Sequence, residues 1–135
     1  MHTAADAQSA KPEVGARARA ATTPLPQVVA EVAGTLGPRL AAAIAGVKDT
    51  RTLRHWQESG EVPHPAGSRL QAALVAILIL EAQHEPDEVA AWFTWLNDEL
   101  SDRSPAAVLR SASDDDSIEK AARSVVAAAR AHLVQ

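Results

Sequence analysis

The sequence predicts an all-α protein, and three observations carry that prediction. Alanine, the best helix former, is abundant. Apolar residues recur at the three- and four-residue spacing of an amphipathic helix, while β-branched and aromatic runs typical of strands are few. Because 47% of the residues are hydrophobic but only 3% are aromatic, small aliphatic side chains must build the core. A chain of 135 residues has room for one domain, or for two small helical domains that share a core.

The N-terminal segment, residues 1–23, lacks a sustained apolar period, so we expect a disordered arm there. Order is predicted to begin near Pro26, because proline suits the first turn of a helix. Gly37 ends this first helix, Pro38 begins the second, and Gly46 ends the second. The predicted apolar faces of the two helices consist of Val29, Val32, Ala33 and Leu36, and of Leu40, Ala43, Ile44 and Val47.

A third short helix is predicted from Arg51 to Ser59, with Asp49 or Thr50 as its cap and Gly60 as its end. Three short helices with a glycine turn before the third are typical of a helix-turn-helix, which we place at residues 24–64. In that motif the third helix enters the major groove of DNA. The predicted DNA-binding residues are Lys48, Thr50, Arg51, Thr52, Arg54 and His55, with Leu53 and Trp56 as inward anchors. A plain helical hairpin with a solvated basic face is the alternative.

Residues 65–135 are predicted to form a C-terminal helical domain. Its first helix, Ser68 to Gln83, is apolar on nearly all sides, so its own domain or a second subunit must cover it. We favour the second subunit, and expect a homodimer or higher oligomer formed through Leu70 to Leu80. The next predicted helix begins at Pro86 and carries Val89, Trp92, Phe93 and Leu96, with Trp95 beside them. A polar loop from Asn97 to Ser104 follows. A short helix begun by Pro105 and a last helix after Asp115 complete the predicted domain.

Charge is divided unevenly along the chain, whose formal net charge is −4. Residues 38–70 hold five bases and three acids, whereas residues 81–120 hold three bases and eleven acids. This division indicates two surfaces with different partners, although ordinary scatter in a soluble protein is the alternative. Trp92 and Trp95 lie in the acidic part. Aromatic stripes usually belong to a core, but an exposed tryptophan is a typical interface anchor.

Several function classes find no support in the sequence. The chain has no cysteine, its five histidines form no metal-binding pair, and it has neither a phosphate-binding glycine loop nor a serine elbow. We therefore expect no enzymatic activity, no catalytic residue, no metal and no cofactor. The longest apolar run, residues 72–80, is too short to span a membrane, and the N-terminus lacks the apolar segment of a signal peptide. We expect a cytoplasmic protein without a membrane partner.

The order of these motifs resembles the Xre/MbcA/ParS antitoxin family over roughly residues 26–133. The resemblance rests on the helix-turn-helix, the long apolar helix, the aromatic-rich helix and the loop after it. The individual matching residues are Trp56, Gly60, Pro63, Asn97, Leu100, Arg103, Ser104, Pro105, Val108 and Leu109. The chain departs from the family pattern after Leu100, where Ser101 and Asp102 stand in place of the usual glycine.

The resemblance implies an antitoxin of a type II toxin–antitoxin pair. Its C-terminal half would cover the active site of a RES-domain toxin that targets NAD and is encoded nearby. Its helix-turn-helix half would bind operator DNA and repress its own operon. The implied toxin-binding residues are Trp92, Trp95, Asn97, Leu100, Arg103, Pro105 and Leu109, although Asn97 and Arg103 would serve equally well to brace the loop. The alternative function is a stand-alone transcriptional regulator whose C-terminal helices only dimerise.

Overall fold

The computed structural model describes residues 13–133, and this part of the chain consists of helices joined by short loops, without a β-strand. The all-α prediction is confirmed. A first helix, α1, occupies residues 13–22 of the described chain. The others are α2 (Leu25–Leu36), α3 (Pro38–Ala45), α4 (Thr50–Ser59), α5 (His64–Leu80), α6 (Pro86–Thr94), a 3₁₀ turn (Asp98–Leu100), α7 (Pro105–Ser111) and α8 (Asp115–Leu133).

Helix α1 corrects the prediction of a disordered arm at residues 1–23, of which residues 1–12 lie outside the described chain. Ala16 and Ala20 are buried in the core, and Gln71 of α5 donates a hydrogen bond to the carbonyl oxygen of Ala20 at 3.0 Å. Arg19 forms an ion pair with Glu31 of α2 at 2.7 Å, and Glu13 forms one with Arg130 of α8 at 2.6 Å. An alanine face is small and adds little to a hydrophobic pattern, so its packing leaves almost no signal in the sequence.

Helix α5 is the centre of the fold. Eleven of its seventeen residues are buried, and α2, α3, α7 and α8 pack around it. Its own chain covers the helix, so the surface predicted to hold a second subunit is not available: Ile79, for example, is fully buried. The predicted domain boundary after residue 64 falls in the first turn of α5, and buried residues from both segments form one continuous core.

No helix within residues 13–133 is both long enough and apolar enough to cross a membrane.

The three short helices predicted before α5 are present as α2, α3 and α4. Gly46 ends α3 with a left-handed backbone (φ 87°), a conformation that glycine adopts without a steric penalty. Asp49 then caps α4 by accepting a hydrogen bond from the backbone N–H of Arg51. Leu53 and Trp56 are buried, as predicted, and fix α4 against the core.

Arg69 joins the two parts of the chain that the sequence had separated. Its Nε donates to the carbonyl oxygen of Ala112, at the end of α7, at 2.8 Å. Its Nη1 donates to the carbonyl oxygen of Ala45, at the end of α3, at 2.9 Å. One guanidinium therefore satisfies carbonyl groups at the C-terminal ends of two helices.

Candidate functional site

The loop that joins α6 to α7 is a compact turn organised by Asn97. The side-chain oxygen of Asn97 accepts a hydrogen bond from the backbone N–H of Glu99 at 2.8 Å, which caps the 3₁₀ turn. Its carbonyl oxygen accepts from the N–H groups of Leu100 and Asp102, and its own N–H donates to the carbonyl oxygen of Arg103 at 3.1 Å. Asn97 therefore braces the loop from its first residue to its last.

Arg103 ties the same loop to α7. Its Nη2 donates to the hydroxyl oxygen of Ser111 at 2.7 Å and to the carbonyl oxygen of Ala107 at 3.2 Å. Of the two roles that the sequence left open for Asn97 and Arg103, bracing is the one for which the structure gives hydrogen bonds. These bonds hold the loop in one conformation on a packed scaffold, which is what a precise contact surface requires.

The backbone inside this loop is strained at two residues. Ser101 (φ 56°) and Asp102 (φ 60°) both have positive φ. An L-residue in this left-handed region costs about 1–2 kcal/mol. Ser101 therefore adopts a conformation typical of glycine without being glycine.

Two large apolar side chains stand in solvent just before the loop. Trp95 is 57% exposed and Leu96 is 76% exposed. The sequence predicted Leu96 to belong to the helix begun by Pro86, and that prediction is wrong. The helix ends at Thr94, and the extended backbone of Trp95 (φ −82°, ψ 144°) takes the following residue off the helical face. Tryptophan is a residue type enriched at protein interfaces, so the exposed pair is a candidate contact surface.

Four of the predicted toxin-binding residues are buried and offer a partner little surface in the folded chain. They are Trp92, Leu100, Pro105 and Leu109. Trp92, only 3% exposed, packs edge-to-face on Phe93 with ring centroids 5.1 Å apart, and Leu109 of α7 is fully buried. The apolar members of the motif therefore form the core beneath the loop, while Trp95 is the predicted apolar residue that reaches solvent.

A groove of about 270 Å³ lies beside the exposed pair, between the loop and the end of α8. Its lining residues are Trp92, Trp95, Leu96, Asn97, Asp98, Glu99, Ala128, Ala131 and His132. His132 stacks on His84 with ring centroids 5.0 Å apart. Burial, and then the neighbouring His84 imidazole, lower the pKa of His132 below its ordinary value, which favours the neutral ring.

The predicted DNA-binding residues lie on and just before the first two turns of α4. Lys48, Arg51, Arg54 and His55 are exposed, and Thr50 and Thr52 are half-buried. Asp49 holds the Arg51 guanidinium through both of its carboxylate oxygens, with the shortest contact at 2.7 Å. These hydrogen bonds, from the Arg51 side chain and then from its backbone N–H, hold the pKa of Asp49 below its ordinary value.

The positive character of the predicted basic segment is smaller than the sequence count indicates. Arg69 is one of its five bases, but this residue is half-buried and bonded to two carbonyl groups inside the fold. Asp49 neutralises Arg51. Lys48 and Arg54 are exposed and make no ion pair within residues 13–133, so they are the cations of α4 and its turn that are available to phosphate.

Comparisons with known protein families, with curated proteins and with solved structures give no match to this chain.

Sequence reasoning missed four residues of the site: Leu96, Asp98, Glu99 and His132. The first three carried a signal, because Asn97 before two acids is a typical capping sequence for a short turn, and such a turn ends the preceding helix. His132 carried none. Its place in the groove depends on the packing of α8, which residue spacing within α8 does not specify.

Proposed function

We propose that this chain is an antitoxin that holds a protein toxin through Trp95 and Leu96. The observation that carries the proposal is the exposure of these two adjacent large apolar side chains on a loop fixed by Asn97 and Arg103. Exposed tryptophan is the residue type most enriched at the energetic centres of protein interfaces. A rigid loop loses little conformational entropy on binding, so most of the contact energy remains as affinity.

The charge around the loop supports a basic partner. Asp98, Glu99 and Asp102 are exposed next to the apolar pair, within the most acidic part of the chain. Complementary charge accelerates the encounter of two proteins and makes the association rate fall with salt. The family resemblance extends the proposal to a RES-domain toxin that targets NAD, whose active site this loop would cover.

The proposal is tested by co-expressing the full chain with the product of the neighbouring gene, which the resemblance predicts to be a RES-domain toxin. Wild type restores growth and co-purifies with the toxin, whereas the double variant Trp95→Ala/Leu96→Ser does neither. The control is Val14→Ser, because Val14 is also a large exposed apolar residue (66%) but belongs to α1. Growth rescue by the double variant equal to that by wild type would refute the proposal.

Operator binding through α4 is a second proposed activity, favoured by the two unpaired cations Lys48 and Arg54. If Arg54 contacts a base, Arg54→Ala lowers the free energy of specific binding by about 1–3 kcal/mol. Lys48→Ala instead weakens binding to DNA of every sequence, and it reduces the salt dependence of the affinity by about one phosphate contact. Arg110→Ala on α7, also exposed, is the charge-matched control. An electrophoretic shift assay on DNA upstream of the gene measures these effects.

The variant Asp49→Asn tests whether α4 binds operator DNA or is only a solvated basic helix. Asparagine caps a helix as well as aspartate does, so the fold is retained, but the substitution removes the charge that holds Arg51. DNA binding becomes tighter in this variant if Arg51 contacts the operator. Unchanged affinity in Asp49→Asn, Arg54→Ala and Lys48→Ala would remove α4 from the DNA interface. Operator binding without toxin capture would favour the stand-alone regulator.

A further inference from the structure

The groove beside Trp95 combines aromatic and acidic groups. Trp92 and Trp95 line it with indole rings, Asp98 and Glu99 line it with carboxylates, and small alanine side chains of α8 complete the lining. Both carboxylates belong to exposed residues, and neither makes an ion pair anywhere in residues 13–133. Aromatic rings and free carboxylates are the two protein groups that attract an organic cation.

Within the described chain, no lysine or arginine lies among the lining residues of this groove. The lining therefore offers no lysine or arginine side chain that could pair with its two carboxylates. The one lining group able to carry positive charge is His132, and its burial favours the neutral ring. The lining therefore holds two carboxylates, those of Asp98 and Glu99, and no lysine or arginine beside them. Its charge is opposite to that of an incoming basic side chain.

The size of the groove restricts the ligand. About 270 Å³ is below the range of roughly 300–1,000 Å³ typical of small-molecule sites. One long side chain requires much less room than a cofactor or a nucleotide. Arginine suits the lining better than lysine, because its planar guanidinium both stacks on aromatic rings and donates in pairs to carboxylates.

We propose that this groove is a pocket for an arginine side chain of the protein partner, placed beside the Trp95–Leu96 contact. The inference rests on the proposed partner-binding function, since it assigns a chemistry to the surface of the partner. The partner's arginine would stack on the exposed Trp95 indole and pair with the carboxylates of Asp98 and Glu99, while Leu96 would contact apolar residues around it.

The first test uses the full chain and a glycine–arginine–glycine tripeptide blocked at both ends. The matched probe carries citrulline, the neutral analogue of arginine. Nuclear magnetic resonance follows the three indole N–H signals, and Trp56, in α4, serves as an internal control. The arginine peptide shifts the signals of Trp92 and Trp95 but not that of Trp56, and the citrulline peptide binds at least fivefold more weakly.

The double variant Asp98→Asn/Glu99→Gln loses at least fivefold in affinity for the arginine peptide. Its control, Glu58→Gln/Glu61→Gln, changes the net charge equally outside the groove. Equal binding of the citrulline and arginine peptides would overturn the inference, as would wild-type affinity in Asp98→Asn/Glu99→Gln.

Toxin capture by the same variants distinguishes the two proposals. We expect capture to weaken both in Asp98→Asn/Glu99→Gln and in Trp95→Ala/Leu96→Ser. If only the tryptophan–leucine variant loses the toxin, the arginine pocket is refuted while the antitoxin function stands. If both variants capture the toxin as wild type does, the antitoxin function itself fails at this loop.

Discussion

Replacing Arg69 by methionine removes two hydrogen bonds that connect α5 to the ends of α3 and α7. Methionine keeps much of the length and apolar volume of the arginine stem, so the change is largely confined to the guanidinium. The two acceptors, the carbonyl oxygens of Ala45 and Ala112, belong to residues that are 2% and 5% exposed. Water replaces the lost donors poorly at such sites.

The expected loss follows from these two bonds. A hydrogen bond from a charged donor contributes about 1.5–3 kcal/mol. Arg69 itself is only half-buried, which favours the lower end of this range for each bond. We therefore expect Arg69→Met to reduce the free energy of unfolding by about 3 kcal/mol, a large part of the roughly 5–15 kcal/mol that stabilises a typical domain. Arg69→Lys should lose less, because one ammonium group can still donate to one of the carbonyls.

Urea denaturation followed by circular dichroism measures this loss. The control is Arg39→Met, since Arg39 is exposed and has no side-chain hydrogen bond within residues 13–133; it should change stability by less than about 0.5 kcal/mol. A single cooperative transition is expected for wild type, because α2 and α3 share a core with α5. A loss below about 0.5 kcal/mol in Arg69→Met would refute the assigned role of the guanidinium.

Three further substitutions probe the site and the core beneath it. The pKa of His132 is lowered in the folded chain, so the unfolded chain binds a proton at this residue more readily as the pH falls below about 6.5. The free energy of unfolding therefore decreases as the pH falls. His132→Gln makes this decrease smaller, as urea titrations at neutral and at acidic pH measure. Ser101→Gly relieves a left-handed residue and stabilises the chain by about 0.5–1 kcal/mol, and a lower urea midpoint would contradict the strain. Leu109→Ala costs about 2–5 kcal/mol, and a negligible cost would place Leu109 outside the core.

Local chemistry made most helix boundaries predictable. Pro38, Pro86 and Pro105 are each the first residue of a helix, as their fixed φ and missing N–H require. Gly46 and Gly60 cap helices in the left-handed conformation. These effects act within a few residues, so a single sequence contains them in full. The buried positions of Leu53 and Trp56 followed from helical spacing in the same way.

The errors arose where a distant part of the chain decides the outcome. The apolar surface of α5 shows that the helix must be covered, but not that α2, α3, α7 and α8 of the same chain cover it. Ala16 and Ala20 pack α1 on the core with side chains too small to stand out in a pattern. Leu96 fits the helical spacing of α6, yet the helix ends two residues earlier. Motif matching at Leu100 and Leu109 did not distinguish residues that build the loop from residues that contact a partner.

The most direct test of the proposed antitoxin function is the affinity of the purified chain for the purified product of the neighbouring gene, which the proposal takes to be a RES-domain toxin. Calorimetry measures it for wild type and for Trp95→Ala. Trp95 is largely exposed in the free chain, so its removal leaves the fold intact and acts on the contact. The account predicts tight binding by wild type and a loss of at least about 2 kcal/mol, roughly 30-fold, in the variant. Equal affinities, or no complex with wild type, would contradict it.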